Sequence, residues 1–155
     1  MHKPADHPHV LVFPPLLFGA TFAAGLLLHW IDPLVSLDPL YARLLGALLT
    51  AAGGWLAFSA EEVMRRAGTN VRPDRPTLSI VTDGPFRFTR NPLYLAATAL
   101  YAGVALLCVS VWPLLLLAPL LAILHWGVVR REERYLEAKF GDAYLAYKAR
   151  VRRWL

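Results

Sequence analysis

The segment Asp83-Gly-Pro-Phe-Arg-Phe-Thr-Arg-Asn-Pro-Leu-Tyr94 lies between two strongly apolar parts of the chain. It combines two arginines, an asparagine, two prolines and three aromatic residues at the start of an apolar run. A second polar cluster, Arg130-Arg-Glu-Glu133, follows the next two apolar runs. If those runs cross a membrane as a hairpin, both clusters return to the same face. The pattern therefore predicts a site at a membrane surface.

The composition is typical of a membrane protein. Hydrophobic residues make up 57% of the 155-residue chain and charged residues only 17%, whereas soluble domains carry about a quarter charged residues. The net charge of +5 is confined to the ends of apolar runs, which favours membrane topology over nucleic-acid binding. The lone Cys108 lies in an apolar run, so the chain has no internal disulfide. The length predicts a single domain over residues 1–155.

Four apolar stretches are each close to the roughly 20 residues that cross a bilayer. They predict four membrane spans, at residues 10–30, 40–60, 93–111 and 113–129. The fourth is the shortest and requires a thin or tilted fit. We expect no cleavable signal peptide, because Lys3 is the only early basic residue and the first run is too long for one. The predicted fold class is thus an all-α integral membrane bundle.

The basic residues orient this bundle. Apart from Arg43, they lie before the first predicted span, in the connection over residues 65–91, or after the fourth span. By the positive-inside rule this distribution predicts a cytoplasmic loop over residues 65–91 and two cytoplasmic termini. We expect the membrane to be a bacterial inner membrane.

The last part of the chain has a helical apolar period. Hydrophobic residues recur at steps of three and four between residues 136 and 154, with charged residues between them. This period predicts an amphipathic helix over residues 132–154 at the membrane surface, bent at Gly141.

The first candidate cluster is Arg90, Asn91 and Tyr94. These residues share the opening turn of a predicted helix, where free backbone N–H groups favour an anion. The preceding Gly84-Pro85 turn can bring Phe86 over the same spot. The alternative is structural: Asn91 caps the helix, Arg90 sets topology and Tyr94 is an interfacial aromatic.

The second candidate cluster is Glu132 and Glu133. His125 precedes Glu132 by seven residues, so both are expected on one helical face. An ionisable residue inside a predicted span is a functional candidate. The alternatives are solvated glutamates paired with nearby arginines and a neutral histidine bonded to a neighbouring helix. We predict no metal site, since the chain lacks His/Cys clusters at zinc spacing.

The segment Gly84–Tyr94, followed by Glu132-Glu133 and Phe140-Gly-Asp-Ala-Tyr144-Leu-Ala-Tyr147, resembles the isoprenylcysteine carboxyl methyltransferase family. That family is related to the membrane phospholipid N-methyltransferases. The resemblance covers about residues 68–155. It implies an integral membrane enzyme that takes S-adenosylmethionine from the cytosol and a lipophilic acceptor from the bilayer.

The resemblance also implies site residues. The family's Arg-His-Pro-x-Tyr motif falls on Arg90-Asn-Pro-Leu-Tyr94, with asparagine in place of histidine. Its cofactor glutamate falls on Glu132, beside Glu133, and its acceptor-orienting arginine falls on Val128, so we expect Arg130 or Arg131 to substitute. The other implied cofactor-binding residues are Leu78, Ser79, Ile80, Val81 and Phe86.

These residues suit the cofactor chemically. Arg90 matches its carboxylate, and Glu132 matches its ammonium or ribose hydroxyls. Phe86 and Tyr94 offer aromatic faces for the adenine or the cationic sulfur. A carboxylate acceptor needs no base, whereas an amine or hydroxyl would need one, for which His125 is the candidate.

The predicted function is methyl transfer from S-adenosylmethionine to a small lipophilic acceptor, such as the carboxylate of an isoprenylcysteine-like lipid. The expected partners are this acceptor and membrane lipids, and no nucleic acid. One alternative is a phospholipid N-methyltransferase. Others are a lipid reductase of similar architecture and a non-catalytic membrane component.

Overall fold

The computed structural model describes residues 10–34, 37–71 and 75–154. All regular structure in these residues is helical, which confirms the predicted all-α class. A 3-10 turn (Gly84–Arg87) precedes the third α-helix, and a π-helical segment (His125–Val129) joins the fourth to the fifth. The α-helices are α1 (Pro14–Ile31), α2 (Pro39–Arg66), α3 (Pro92–Leu107), α4 (Val111–Leu124), α5 (Arg130–Phe140) and α6 (Asp142–Arg150).

Three helices of the described chain are long and apolar enough to cross a membrane: α1, α2 and the continuous helix Val111–Phe140 formed by α4, the π segment and α5. The remaining apolar helix, α3, has 16 residues and spans about 24 Å. The helices differ from the expected spans in two places: α3 and not the fourth is the short apolar helix, and the helix that contains the fourth predicted span continues past residue 129. Helix α3 stops early because Val109 adopts a positive φ of 53°, which a helix cannot continue through.

Helices α2 and α3 pack backbone to backbone. A Cβ atom on Gly46 would lie 2.7 Å from the carbonyl oxygen of Gly103, and one on Gly53 would lie 2.9 Å from that of Ala96. Thr50 lies between the two α2 glycines and donates its hydroxyl to the Gly46 carbonyl at 2.8 Å. Small residues at such positions are typical of membrane helices, which gain stability from close packing rather than from a hydrophobic effect.

Helix α1 packs on α4 at the end of the bundle that lies away from the polar clusters. A Cβ atom on Gly25 would come within 2.7 Å of Pro113. The indole N–H of Trp112 donates to the carbonyl of Asp32 at 2.6 Å, which ties the end of α1 to the start of α4.

The π segment changes the register of the long helix. Its wider turn, closed by i→i+5 hydrogen bonds, rotates α5 relative to the direction that a continuous α-helix would give. The expected common face of His125 and Glu132 is therefore wrong. The N–H of Leu11 donates to the carbonyl of Gly127 at 3.1 Å, so the segment before α1 packs against this irregular turn.

The C-terminal part is not one surface helix. Helix α5 continues the long membrane helix, and the chain then turns at Gly141, whose φ is 53°. The predicted bend is thus confirmed, and the predicted single helix over residues 132–154 is wrong. Tyr144 and Tyr147, which belong to the apolar period of the predicted surface helix, are buried within the protein, because α6 and the following residues 151–154 fold back over the start of α3.

Candidate active site

A cavity of about 460 Å³ lies where the polar ends of the helices meet. It is bounded by the starts of α1 and α3, the end of α2, helix α5, the loop before the 3-10 turn and two tyrosines of α6. Its volume is within the range of small-molecule sites. Its polar and aromatic lining residues include Glu61, Thr69, Phe86, Arg90, Asn91, Tyr94, Glu132, Glu133, Tyr135, Tyr144 and Tyr147.

A cluster of three charged side chains lies at the cavity, and two of them, Arg90 and Glu133, are buried and line it. Glu133 is only 5% exposed, and its two carboxylate oxygens accept hydrogen bonds from Arg153 Nε at 2.9 Å and Arg153 Nη2 at 2.7 Å. Arg90 Nη2 lies 3.2 Å from the same carboxylate. Such a bidentate arginine–carboxylate pair is among the stronger polar contacts in proteins.

Arg90 keeps unused hydrogen-bonding capacity. Its side chain is 8% exposed, and its buried Nε and Nη1 atoms have no hydrogen-bond partner within the described part of the chain. A buried guanidinium with unsatisfied donors is costly unless an anion or polar ligand completes it. Because Arg90 lines the cavity, that ligand would bind there.

Tyr94 and Glu132 form a second polar pair. The Tyr94 hydroxyl donates to Glu132 Oε1 at 2.7 Å, joining the start of α3 to α5. Among the residues that the structure describes, none donates a hydrogen bond to the second carboxylate oxygen of Glu132, since its bond from Tyr94 is to Oε1. Both residues line the cavity, so the carboxylate can accept from a bound ligand.

The loop before the 3-10 turn supplies the opposite wall. It has no regular structure between Arg75 and Asp83, but hydrogen bonds fix it to the end of α2. The N–H of Leu78 donates to Thr69 Oγ1 at 2.9 Å, and the Ser79 hydroxyl donates to the Ala67 carbonyl at 2.9 Å. These bonds place residues 79–81 along the cavity.

The last residues of the described chain hold the start of α3. Arg90 N–H donates to the carbonyl of Arg152 at 2.9 Å. The carbonyl of Arg153 accepts from Asn91 Nδ2 at 2.9 Å and from Thr89 Oγ1 at 3.1 Å. Asn91 occupies the N-cap position of α3, as the structural alternative expects, but its side chain makes no cap hydrogen bond and instead donates to a residue 62 positions away.

Two buried tyrosines of α6 also line the cavity. The Tyr147 hydroxyl donates to the carbonyl of Phe86 at 2.8 Å, which fixes the 3-10 turn. Burial raises the pKa of Tyr144 to about 12, with a smaller opposing effect from Arg90. Burial also raises the pKa of Tyr147. Both phenols are therefore neutral at physiological pH and can donate hydrogen bonds.

The structure brings most of the predicted site residues together. Those that line the cavity are Ser79, Ile80, Val81, Phe86, Arg90, Asn91, Tyr94, Glu132 and Glu133.

Four predicted site residues lie away from the cavity lining: Leu78, His125, Arg130 and Arg131. Leu78 is 61% exposed. His125 faces the C-terminal residues, with its Nε2 3.5 Å from Arg153 Nη1. The π segment explains the position of His125, because it turns this side chain away from Glu132 and toward Arg153.

The sequence analysis did not identify Arg153, Tyr144 or Tyr147 as site residues. The hydrogen bonds of Arg153 and Tyr147 join residues 20 to 64 positions apart, so no local spacing signals them. Tyr144 and Tyr147 do stand in the segment used for the family resemblance, and that position was the only available signal.

Taken together, the cavity offers a cationic group with free donors, a carboxylate with a free acceptor oxygen and an aromatic ring at Phe86. Apolar residues of α1 and α3 line its other side, including Phe13, Phe18, Leu93 and Ala97. Such a site can bind a polar zwitterion next to an apolar molecule.

Comparisons with known proteins gave one curated relative and one family profile. A protein of Haemophilus influenzae, described only as an uncharacterized protein, is 67% identical over 27 residues, which is 17% of this chain. The match spans 43% of that protein. No solved structure matches the chain. The profile of the phospholipid methyltransferase family matches residues 41–143, about two-thirds of the sequence. The chain therefore belongs to the phospholipid methyltransferase family, a family of membrane methyltransferases.

Proposed function

We propose that this protein transfers a methyl group from S-adenosylmethionine to the carboxylate of a small lipophilic acceptor, such as an isoprenylcysteine-like lipid. The observation that carries the proposal is the buried Arg90 guanidinium, whose Nε and Nη1 atoms lack partners at the wall of a cavity. A methyltransferase needs a methyl donor, and S-adenosylmethionine has a carboxylate that such a guanidinium would bind.

The cavity residues fit the polar groups of this cofactor. Arg90 would bind the carboxylate, and Glu132 would accept from the ammonium or from a ribose hydroxyl through the oxygen that Tyr94 does not use. Phe86 offers a ring face to the adenine or the sulfonium. When bound, the cofactor supplies an activated methyl carbon. The residues of the chain then act by holding and aligning the reactants, which is a large part of the acceleration of an in-line transfer.

The acceptor is expected on the apolar side of the cavity. Phe13, Phe18 and Ala97 line that side, at the ends of helices whose outer surfaces are apolar. His125, the base predicted for an amine or hydroxyl acceptor, lies outside the lining. This position favours a carboxylate, which needs no base to attack a methyl group.

A phospholipid amine is the second candidate acceptor. The family to which the chain belongs is named for the methylation of phospholipids. Glu61, at the end of α2, also lines the cavity, and a carboxylate there would attract an ammonium headgroup. An amine acceptor would therefore be held by Glu61 rather than activated by His125.

The proposed location is a bacterial inner membrane, with the cavity and both chain termini on the cytoplasmic side. This placement would give the soluble cofactor access from the cytosol and the acceptor access from the bilayer. The concentration of basic residues at the cavity end of the bundle supports it.

Radiolabelled methyl transfer would test the function and separate the two acceptors. Purified protein in lipid vesicles is supplied with methyl-labelled S-adenosylmethionine and either an isoprenylated N-acetylcysteine or phosphatidylethanolamine. Labelled methyl esters release methanol in alkali, whereas N-methyl groups do not. We expect alkali-labile label with the isoprenylated acceptor; stable label on phosphatidylethanolamine would establish the second candidate. No label on either acceptor would contradict the proposal.

A further inference from the structure

We propose that Arg153 is a positioning residue that keeps Arg90 available for the cofactor carboxylate by occupying Glu133. This inference rests on the proposed function, since it concerns the same cavity. It assigns a role to a residue outside the cavity lining, in the last part of the chain.

The Glu133 carboxylate is bound more closely by Arg153 than by Arg90. Both of its oxygens accept from Arg153, at 2.9 and 2.7 Å, whereas Arg90 makes one longer contact of 3.2 Å with it. The fork of Arg153 matches the carboxylate along its whole edge, and such pairs are stronger than single contacts. Glu133 is therefore directed mainly at Arg153, and Arg90 is left with two unpartnered nitrogens.

The charges of the cluster do not cancel. Arg90 and Arg153 carry two positive charges and Glu133 one negative charge, so the cluster has one positive charge in excess. The neighbouring Glu132 is bonded to the uncharged Tyr94 hydroxyl, which leaves its carboxylate to face the cationic groups of the cofactor. The three-residue cluster thus matches one monoanionic group. Without the Arg153 charge, Arg90 and Glu133 would form a neutral pair, which attracts an anion less.

The side chain and the backbone of Arg153 make separate contacts. Its carbonyl accepts from Thr89 and Asn91, the neighbours of Arg90 in sequence. These backbone bonds fix the start of α3, and they persist when the side chain is changed. A substitution of Arg153 therefore tests the guanidinium without removing this anchoring.

The experiment measures calorimetric affinity for S-adenosylmethionine and for decarboxylated S-adenosylmethionine, which lacks only the carboxylate. In Arg153→Gln we expect affinity for S-adenosylmethionine to fall by about tenfold, and affinity for the decarboxylated ligand to stay within about twofold of the parent. Arg153→Lys, which keeps the charge, should restore part of the loss. The control is Arg150→Gln, because the Arg150 side chain is exposed and bonds to the Ala146 carbonyl of its own helix.

Equal losses for the two ligands in Arg153→Gln would overturn the inference, since they would show a general structural role. Unchanged affinity for S-adenosylmethionine would overturn it as well. If Arg153→Gln does not fold, as judged by its thermal transition, Arg153→Lys decides the question. It must bind S-adenosylmethionine less tightly than the parent does, and it must bind the decarboxylated ligand as tightly as the parent does. A parent protein that binds neither ligand would instead contradict the proposed function.

Discussion

Tyr94 and Glu132 are 38 residues apart in the chain and share a hydrogen bond of 2.7 Å at the cavity. The bond directs one carboxylate oxygen toward α3 and leaves the other for a ligand. In Glu132→Gln the amide oxygen can still accept from Tyr94, but the negative charge is lost. We expect affinity for S-adenosylmethionine to fall by roughly ten- to a hundredfold, the effect of a hydrogen bond to a charged group. Calorimetry would measure it.

The matched control is Glu62→Gln. Glu62 pairs with Arg65 and Arg66 on the surface of α2, and it is not part of the cavity lining. Surface pairs of this kind contribute little to stability. Equal affinities for the parent and Glu132→Gln would show that this carboxylate does not contact the cofactor.

Sequence reasoning identified several cavity residues and missed others for a physical reason. Arg90 and Tyr94 lie in the first turn of one helix, so their proximity follows from spacing alone. Glu132 was assigned through the family motif. Arg153 could not be found in this way, because its contacts join segments 20 to 64 residues apart. His125 was misplaced because a π turn leaves no reliable mark in one sequence.

At the scale of elements, the π segment sets the direction of α5. Deleting Trp126, which is 60% exposed, should convert the segment to a regular helix. A four-residue α turn covers nearly the same rotation as the five-residue π turn, so the deletion would leave Glu132 and Glu133 facing Arg90. We therefore expect cofactor affinity and helical content close to those of the parent, measured by calorimetry and circular dichroism on the same sample.

Trp126→Ala is the control, since it removes the same side chain and keeps the register. It should bind the cofactor nearly as well as the parent. Loss of binding in the deletion variant but not in Trp126→Ala would mean that the site needs the π turn itself and not only the direction of α5.

The contact between α2 and α3 gives a stability prediction. In Gly46→Ala the new methyl group would lie 2.7 Å from the carbonyl of Gly103, which is backbone and cannot rotate away. We expect destabilisation of about 1–3 kcal/mol, as for other overpacked contacts. Thermal unfolding in detergent would show it as a lower transition temperature.

Gly54→Ala is the matched change on the same helix, because nothing lies within 4 Å of its Cβ position. It should be neutral or stabilising by up to about 1 kcal/mol, since alanine favours helix more than glycine does. Transitions lowered equally by both substitutions would show that the α2–α3 contact is not the cause.

The elements themselves were more predictable than their ends. Apolar runs of about membrane length identified all four apolar helices, because the bilayer leaves a chain few other ways to satisfy its backbone. The end of α3 at Leu107 depends on the φ of Val109, and the continuation of the last span into α5 depends on tertiary contacts. Neither is visible in hydropathy.

At the scale of the whole molecule, charge and cavity lie at one end. The bonds from Leu11 to Gly127 and from Arg153 to the start of α3 bring both described ends of the chain to that end as well. Cys108, at the end of α3, is exposed at the other end. By the positive-inside rule the cavity end is expected in the cytoplasm.

Cysteine labelling in intact bacterial cells would test this orientation. A membrane-impermeant maleimide should react with Cys108 from outside. In a Cys108→Ser background, Arg87→Cys should react only after the cells are opened, because Arg87 is exposed at the cavity end. Reaction of Arg87→Cys in intact cells would show that the cavity end faces outward and would contradict the predicted orientation.

The central claim is that the cavity around Arg90 binds S-adenosylmethionine, and equilibrium calorimetry of the purified protein tests it most directly. The parent should bind S-adenosylmethionine and its product S-adenosylhomocysteine, and should not bind NADPH. Arg90→Ala should weaken binding by at least about tenfold, whereas Arg87→Ala, at an exposed neighbouring position, should leave it unchanged. Binding of NADPH alone, or equal affinities in the parent and Arg90→Ala, would contradict the account.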